Sequence, residues 1–384
     1  MDKIKVKFTI ISFMILGMIT THAQQNNALK FQIKYVLDSL QKQNKFPGAT
    51  FSAVLPNGEQ FTTATGLADS IHSNHMQPLH RMLSGSNGKT LFAAVVLKLA
   101  SENKLKLDDK ISIYLKDEEW FASLPNAESI TIRMLLNHTS GLEEYLTLGD
   151  FMIKLKDRPF RTFTPLESLS YIWNRQPLFD AGTKWSYADT NFILVGYIIE
   201  KITGNKLYHL IQQTFLKPYH LNATEPSVKM MYNHLATGYA RKNNPFPVEG
   251  PMVKANTMII NPQFEWAGGG FVSNVQDLAQ WIMVYYNLPE ISTEIKEEMR
   301  IKIAANTGKN HAYGLGVQIR PSTWGDTYGH SGWFPGYLTD AIYLPEIDLA
   351  LAIQFNTDDL ALLKMAPYDY LLLISKLINQ HQNK

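Results

Sequence analysis

The stretch LSGSNGKTLFAAVVLKLASE, residues 83–102, sets a hydroxyl, Ser86, three residues ahead of an ammonium group, Lys89, at the mouth of an apolar run. At that spacing the two side chains share one helix face. The pattern predicts a buried helix from about Ser86 to Glu102, whose free N–H groups and positive end favour a developing oxyanion. A serine nucleophile beside an activating cation is the chemistry this implies. Ser-x-x-Lys also occurs at Ser39–Lys42 and Ser101–Lys104, where a solvated pair accounts for it. Only Ser86 opens an apolar helix. The competing account there is a helix-capping serine with an incidental lysine.

A hydroxyl nucleophile needs a base, and two distant segments offer one. Tyr187 lies in GTKWSYADTNFILVG, residues 182–196, just ahead of an apolar helix. A free phenol titrates near ~10, too high for a base at neutral pH, and a neighbouring lysine would lower it. His330-Ser331-Gly332 lies in YGHSGWFPGYLTDAIYLPE, residues 328–346, and is expected to begin or precede a strand. Gly332 would let the backbone approach a ligand closely. The plainer accounts are a packed loop tyrosine and a glycine-rich hairpin with a satisfied histidine.

These three stretches need a scaffold that brings them together. Leu29, Ile33, Val36, Leu37 and Leu40 recur at helical spacing and predict a helix over 28–45. ATFSAVLPNGEQFTTATG reads as a hairpin around Pro56-Asn57-Gly58. Helical stretches then alternate with Pro- and Gly-marked loops to about residue 310. NFILVGYIIEKITG and VQDLAQWIMVYYNL are the clearest of them. Beyond residue 312, YGLGVQIR, TDAIYLPE and LALAIQFNT are strand-like, and YDYLLLISKLINQ closes the chain as a helix. Strands at both ends predict one sheet and an α+β fold: an α/β lobe from 28–85 and 312–384, a helical lobe from 86–311, and a cleft between them.

Taken together, Ser86-x-x-Lys89, Tyr187-x-Asp189 and His330-x-Gly332, in that order, resemble the motifs of the serine β-lactamase and penicillin-binding superfamily. The resemblance is greatest to its class C β-lactamase-like branch, which includes D-alanyl-D-alanine carboxypeptidases, D-aminopeptidases and esterases. LDDKISIYL, ITIRMLLNHTSGL, WSYADTNFILVGYIIEKITG and WAGGGFVSNVQDLAQW extend it over nearly the whole chain. The resemblance implies that Ser86 is acylated, that Lys89 keeps Ser86 and Tyr187 poised, and that Tyr187 is the base for acylation and the acid for the leaving group. It implies that His330 completes the charge network and that the backbone N–H groups of Ser86 and Trp333 form the oxyanion hole. Asp189, Ser331 and Gly332 fall at substrate-binding positions, with Ser331 placed to bind a carboxylate. Two departures stand out. Asp189 replaces the usual asparagine, and a carboxylate accepts where an amide can donate; pairing with Lys89 is the expected consequence. His330 replaces the lysine of true cephalosporinases. Both favour a peptidase or esterase over a lactamase.

Hydrophobic residues make up 45% of the 384 and charged residues 18%, enough for a sizeable core. The formal net charge is +2, which gives a nucleic-acid partner no electrostatic basis. MDKIKVKFTIISFMILGMITTHAQQ combines a basic start, an apolar run too short to span a membrane and a small residue, Ala23. That is a secretory signal with cleavage expected between Ala23 and Gln24, leaving 24–384 as one exported, periplasmic or secreted domain without a membrane span. Losing residues 1–23 removes Lys3, Lys5, Lys7 and Asp2, so acidic and basic side chains become equal in number. There is no cysteine, hence no disulfide or thiol nucleophile. His72, His75 and His80 lie close in sequence, but no acidic partner has zinc-ligand spacing, and a solvated loop accounts for them. No metal or cofactor is expected. The expected substrate is a small molecule or peptide, with D-amino-acid peptides of the cell-wall stem type first, and the expected activity is that of a D-Ala-D-Ala carboxypeptidase-like hydrolase. Three rivals remain: an esterase or β-lactamase of the same fold, a non-catalytic binder of wall peptides or lactams, and an α/β-hydrolase read from SGSNG.

Overall fold

The computed structural model describes residues 27–382; the expected secretory signal lies outside them. The frame is a nine-stranded antiparallel sheet drawn from both ends of the chain. Its strands are β1 (Gly48–Val54), β2 (Gln60–Asp69), β3 (Asn74–His75), β4 (Ile303–Ala304), β5 (Ala312–Tyr313), β6 (Gln318–Ser322), β7 (Gly325–Phe334), β8 (Tyr337–Leu344) and β9 (Leu349–Phe355). They lie in the order β4-β5-β6-β7-β8-β9-β1-β2-β3. The first and last long strands therefore meet, with Ala49 opposite Phe355 and Val54 opposite Ala350. Every pairing in this sheet is antiparallel. That overturns the α/β-hydrolase alternative, which needs a mostly parallel sheet.

Alternation decides what covers each face. All seven residues of β1 are buried. Phe51 and its alternate neighbours Ala49 and Ala53 join a cluster with Leu29, Ile33 and Leu37 of helix α1 (27–44) and with Leu371, Ile374 and Ile378 of the closing helix. On the opposite face Ser52 is met by Gln60, whose side chain donates to the Gln276 carbonyl of a buried helix. The helices that matter for the site are α2 (Lys89–Ser101), α3 (Asp189–Thr203), α4 (Val275–Asn287) and α5 (Pro367–Gln382). The middle of the chain is not purely helical: Met82–Leu83, Glu225–Pro226 and Phe271–Ser273 form a small sheet beside the turn that carries Ser86.

Two local expectations change. Gly85–Gly88 is a turn of 3-10 helix, and the α-helix begins at Lys89 rather than at Ser86. His330 does not begin or precede a strand; it sits inside β7. Among the described residues no helix is long and apolar enough to cross a membrane.

Candidate active site

Ser86 rides on the 3-10 turn that feeds α2, and this turn is pressed against β7. Gly85 has φ +52°, and a Cβ there would meet the Trp333 backbone at 2.5–2.7 Å. A Cβ on Gly332 would lie 1.9 Å from the Ser84 carbonyl oxygen. Gly332 is thus required for contact between turn and strand, not for the close ligand approach that the sequence suggests. Asn87 closes the contact, its side-chain amide donating to the His330 carbonyl at 2.6 Å. Pairing of β7 with β6 ends at Gln318–Gly329, whereas pairing with β8 continues to Phe334–Tyr337. The remaining edge of β7 is open toward Ser86. The Ser331 N–H points to that edge, donating to the Gln318 side chain at 3.0 Å. Strand periodicity turns the Trp333 N–H the same way.

Lys89 is wholly buried. Its Nζ donates to Ser86 Oγ at 3.0 Å, to Asp189 Oδ1 at 2.5 Å and to the Gly268 carbonyl. All three ammonium hydrogens are therefore committed. The pairing expected of Asp189 is present. Asp189 Oδ1 is thus held by Lys89, and Asp189 is not among the residues lining the cleft. The glycine run that supplies the carbonyl threads close to Ser86: a Cβ on Gly268 would lie 3.1 Å from Asp189, and one on Gly269 2.8 Å from the Ser86 nitrogen.

Two further acids surround this pair, and nothing in the sequence singles them out. Glu144 accepts from the N–H of Asp189 at 2.5 Å and of Leu146 at 3.1 Å. Burial and then the Asp189 charge push its carboxyl up to about 8. Glu265 is buried with one carboxyl oxygen unpartnered, and burial followed by the Asp189 charge raises it well above the usual carboxylate range. One ammonium lies among three carboxyl groups, and burial with mutual repulsion shifts these two acids toward their protonated forms.

Tyr187 stands in an aromatic nest. Its ring lies 4.3 Å from His138, 6.2 Å from Tyr313 and 6.2 Å from His330, between centroids, and Lys89 Nζ lies 5.0 Å from its ring centre. The hydroxyl is buried and makes no hydrogen bond of ordinary geometry. Burial first, then the Asp189 charge, lift the phenol well above its ordinary value, against an opposing pull from the Ser86 hydroxyl. The phenol is therefore raised rather than lowered, contrary to the expectation from sequence, because burial and the Asp189 charge prevail. His138 is held by hydrogen bonds, with Nδ1 at 3.3 Å from the Ala188 nitrogen and 3.1 Å from Asn191 Nδ2.

His330 also departs from expectation. Its Nδ1 meets the Ser331 carbonyl at 2.5 Å, and a carbonyl only accepts, so Nδ1 carries the proton. Nε2 is then an acceptor, filled by the Tyr313 hydroxyl at 2.7 Å. Burial and the nearby Lys89 lower this imidazole to about 3. His330 is a neutral wall of the site, turned to Tyr313 rather than bonded to Ser86 or Tyr187.

A cleft of ≈ 750 Å³ opens from Ser86 and Tyr187 along β6, β7 and β8 to the start of α5. Ser331, Gly332 and Trp333 form its near edge. Of the residues named from sequence, Ser86, Lys89, Tyr187 and Asp189 converge around one ammonium. His330, Ser331, Gly332 and Trp333 line the same cleft on the opposing strand.

Residues 33–373 match the family described as Beta-lactamase. Penicillin-binding protein 4* of Bacillus subtilis (strain 168) is 26% identical over 262 residues, covering 66% of this chain and 56% of that protein. The chain spans between 54% and 64% of the length of the curated relatives it matches first. Among solved structures, a D-stereospecific amidohydrolase from Streptomyces sp. aligns with TM-score 0.74 at 26% identity, covering 88% of this chain and 97% of that one. D-amino acid amidase from Ochrobactrum anthropi SV3, solved with L-phenylalanine amide, aligns with TM-score 0.78 at 21% identity over 92% of this chain and 99% of that one, a likeness of fold. The antiparallel sheet, the Ser86–Lys89 contact at its cleft and the match over almost the whole described chain lead to one conclusion: the chain belongs to the β-lactamase family.

Proposed function

We propose that this protein is an exported serine hydrolase that opens amide or ester bonds of D-amino-acid peptides and amides through an acyl-enzyme on Ser86. The observation that carries the reading is the 3.0 Å contact between Ser86 Oγ and a buried, three-fold anchored Lys89 at the mouth of the cleft. The D-stereospecific amidohydrolase among its structural neighbours supports the D-amino-acid part. Export rests on the N-terminal sequence alone and predicts a secreted chain beginning at Gln24.

The protonation states shape the mechanism. Tyr187 is a neutral phenol, so it works as a shuttle rather than as a standing phenolate. Ser86 Oγ forms its bond to the carbonyl carbon, whose π pair moves to oxygen, while its proton passes to the Tyr187 oxygen; the Tyr187 proton passes to the leaving nitrogen or oxygen as the oxyanion collapses and the bond from carbon to that atom breaks. The tetrahedral oxyanion is met by the N–H groups of Ser86 and Trp333, each such donor being worth ~2.7–4 kcal/mol. Lys89 holds Ser86 Oγ and contributes positive potential. Water then repeats the relay in reverse and frees the acid.

The test is a panel of D-amino-acid amides, D-Ala-D-Ala peptides, nitrophenyl esters, penicillins and cephalosporins on the wild type and on Ser86→Ala. The expected result is turnover of the first classes, a mass shift on Ser86 and loss of both in the variant. Turnover that survives Ser86→Ala rejects the proposal. Acylation without release over hours points instead to a binder of lactams or wall peptides, and efficient cephalosporin turnover to a lactamase.

A further inference from the structure

Among the described residues, positive charge along the cleft is matched by acids. Among the described residues lining it, Arg320 is the only Lys or Arg side chain. Its guanidinium is bound through two nitrogens to both carboxylate oxygens of Asp340, each at 2.7 Å, with Arg320 5% and Asp340 1% exposed. The guanidinium carbon lies 4.0 Å from the Tyr368 ring centre. A bidentate, buried pair of this kind leaves little net field for an incoming anion. His311 and His330 also line the cleft, and burial lowers both, which disfavours a positive charge on either ring. Asp369, exposed on the rim in the first turn of α5, adds a negative one.

The open edge of β7 is equally neutral. Gln318 projects from β6 where β6–β7 pairing stops. Its amide nitrogen donates to Ser331 Oγ at 3.0 Å while its oxygen accepts from the Ser331 N–H at 3.0 Å. Ser331, the residue placed by sequence to take a carboxylate, is thus held on both sides by an uncharged amide. The rest of the wall is mostly apolar, from Trp333 and Leu338 to Pro367 and Leu372, with the uncharged hydroxyls of Thr307 and Thr339. A carboxylate seated here would lose its water and gain no unpaired cation, an unfavourable exchange.

We propose that this cleft selects substrates that present no free carboxylate beside the scissile bond: apolar D-amino-acid amides, C-terminally blocked peptides or esters rather than peptides ending in a free D-residue. The inference rests on the Ser86 acyl-transfer reading and narrows its substrate class. It runs against the carboxypeptidase expected from sequence.

The test compares N-acetyl-D-Ala-D-Ala with its C-terminal carboxamide on the full protein, beside fluorophosphonate labelling of Ser86 read by mass. The expected result is a kcat/KM for the carboxamide higher by about tenfold or more, the scale of one charge-assisted hydrogen bond forgone by the acid. Gln318→Arg places a cation at the open edge and should shrink or invert that ratio. Equal or faster cleavage of the free acid, with Ser86 labelled, overturns the inference and leaves the hydrolase reading standing. Labelling with neither dipeptide cleaved overturns it as well. No labelling and no turnover removes the Ser86 reading and the inference with it.

Discussion

Replacing Tyr187 by phenylalanine separates what this residue does for the reaction from what it does for the fold. Its hydroxyl is buried without a hydrogen bond of ordinary geometry. Such a group costs about 1–3 kcal/mol in a folded protein, here partly offset by the neighbouring Ser86. Removing one oxygen leaves the ring and its packing against His138 in place. Tyr187→Phe should therefore be as stable as the wild type, or more stable by up to about 1–3 kcal/mol. The same change breaks the proton relay, for which general acid–base catalysis sets a loss of about 10²–10⁴-fold in kcat/KM. The pH dependence carries a second signature. Burial and Asp189 hold the folded phenol well above its ordinary value. Below pH ~10 both folded and unfolded chains keep the proton, so Tyr187 adds no slope. Above it the unfolded phenol ionises first, and the wild type loses stability that the variant keeps. Urea unfolding and kcat/KM measured on the same preparation, from pH 7 to 11, read all three. A variant destabilised by more than about 1 kcal/mol would show a hydroxyl bond that the structure lacks. Activity within tenfold of wild type would take Tyr187 out of the chemistry.

Lys89→Met leaves Asp189 as a mostly buried carboxylate without its cation and should cost about 3–5 kcal/mol, with Asp189→Asn on top restoring a large part; a thermal double-mutant cycle measures the coupling, and additive losses would deny it. Glu144 is expected to give stability a falling slope with pH. The unfolded carboxyl ionises above pH ~4.3 while the folded one keeps its proton up to about 8, so stability declines across that window and Glu144→Gln should flatten it in denaturant titrations.

The sequence carried the architecture where periodicity was strong. The alternation in ATFSAVLPNGEQFTTATG and the apolar runs of LALAIQFNT and YDYLLLISKLINQ are local signals, and each became the strand or helix it predicts. His330 was misplaced because YGHSGWF has too many glycines and too little alternation to read as the middle of a ten-residue strand, although tertiary packing makes it one. Those glycines are explained only by what lies across from them: Gly332 exists for the Ser84 carbonyl, a contact more than two hundred residues away in sequence. Tyr313, Glu144 and Glu265 could not be singled out, since a lone tyrosine in YGLG or a glutamate in LEEY has no spacing that marks it. Their roles come from which neighbours the fold delivers.

Protonation shows the same limit more sharply. From residue types alone, a lysine near Tyr187 implies a lowered phenol, but the sign depends on whether that lysine is already matched. Here one substitution decides it. With an amide at position 189, the ammonium would face Tyr187 with its charge uncompensated. With Asp189 the pair is neutral, and burial dominates the phenol. The same cancellation recurs at Arg320 and Asp340 on the far wall of the cleft. A site with both of its cations matched from within has little to offer an anionic substrate and much to offer a neutral carbonyl. Asp189→Asn should therefore lower the Tyr187 phenol and move the alkaline end of the stability profile, while leaving the preference for a blocked C-terminus unchanged, because that preference is set by Gln318 and the Arg320–Asp340 pair.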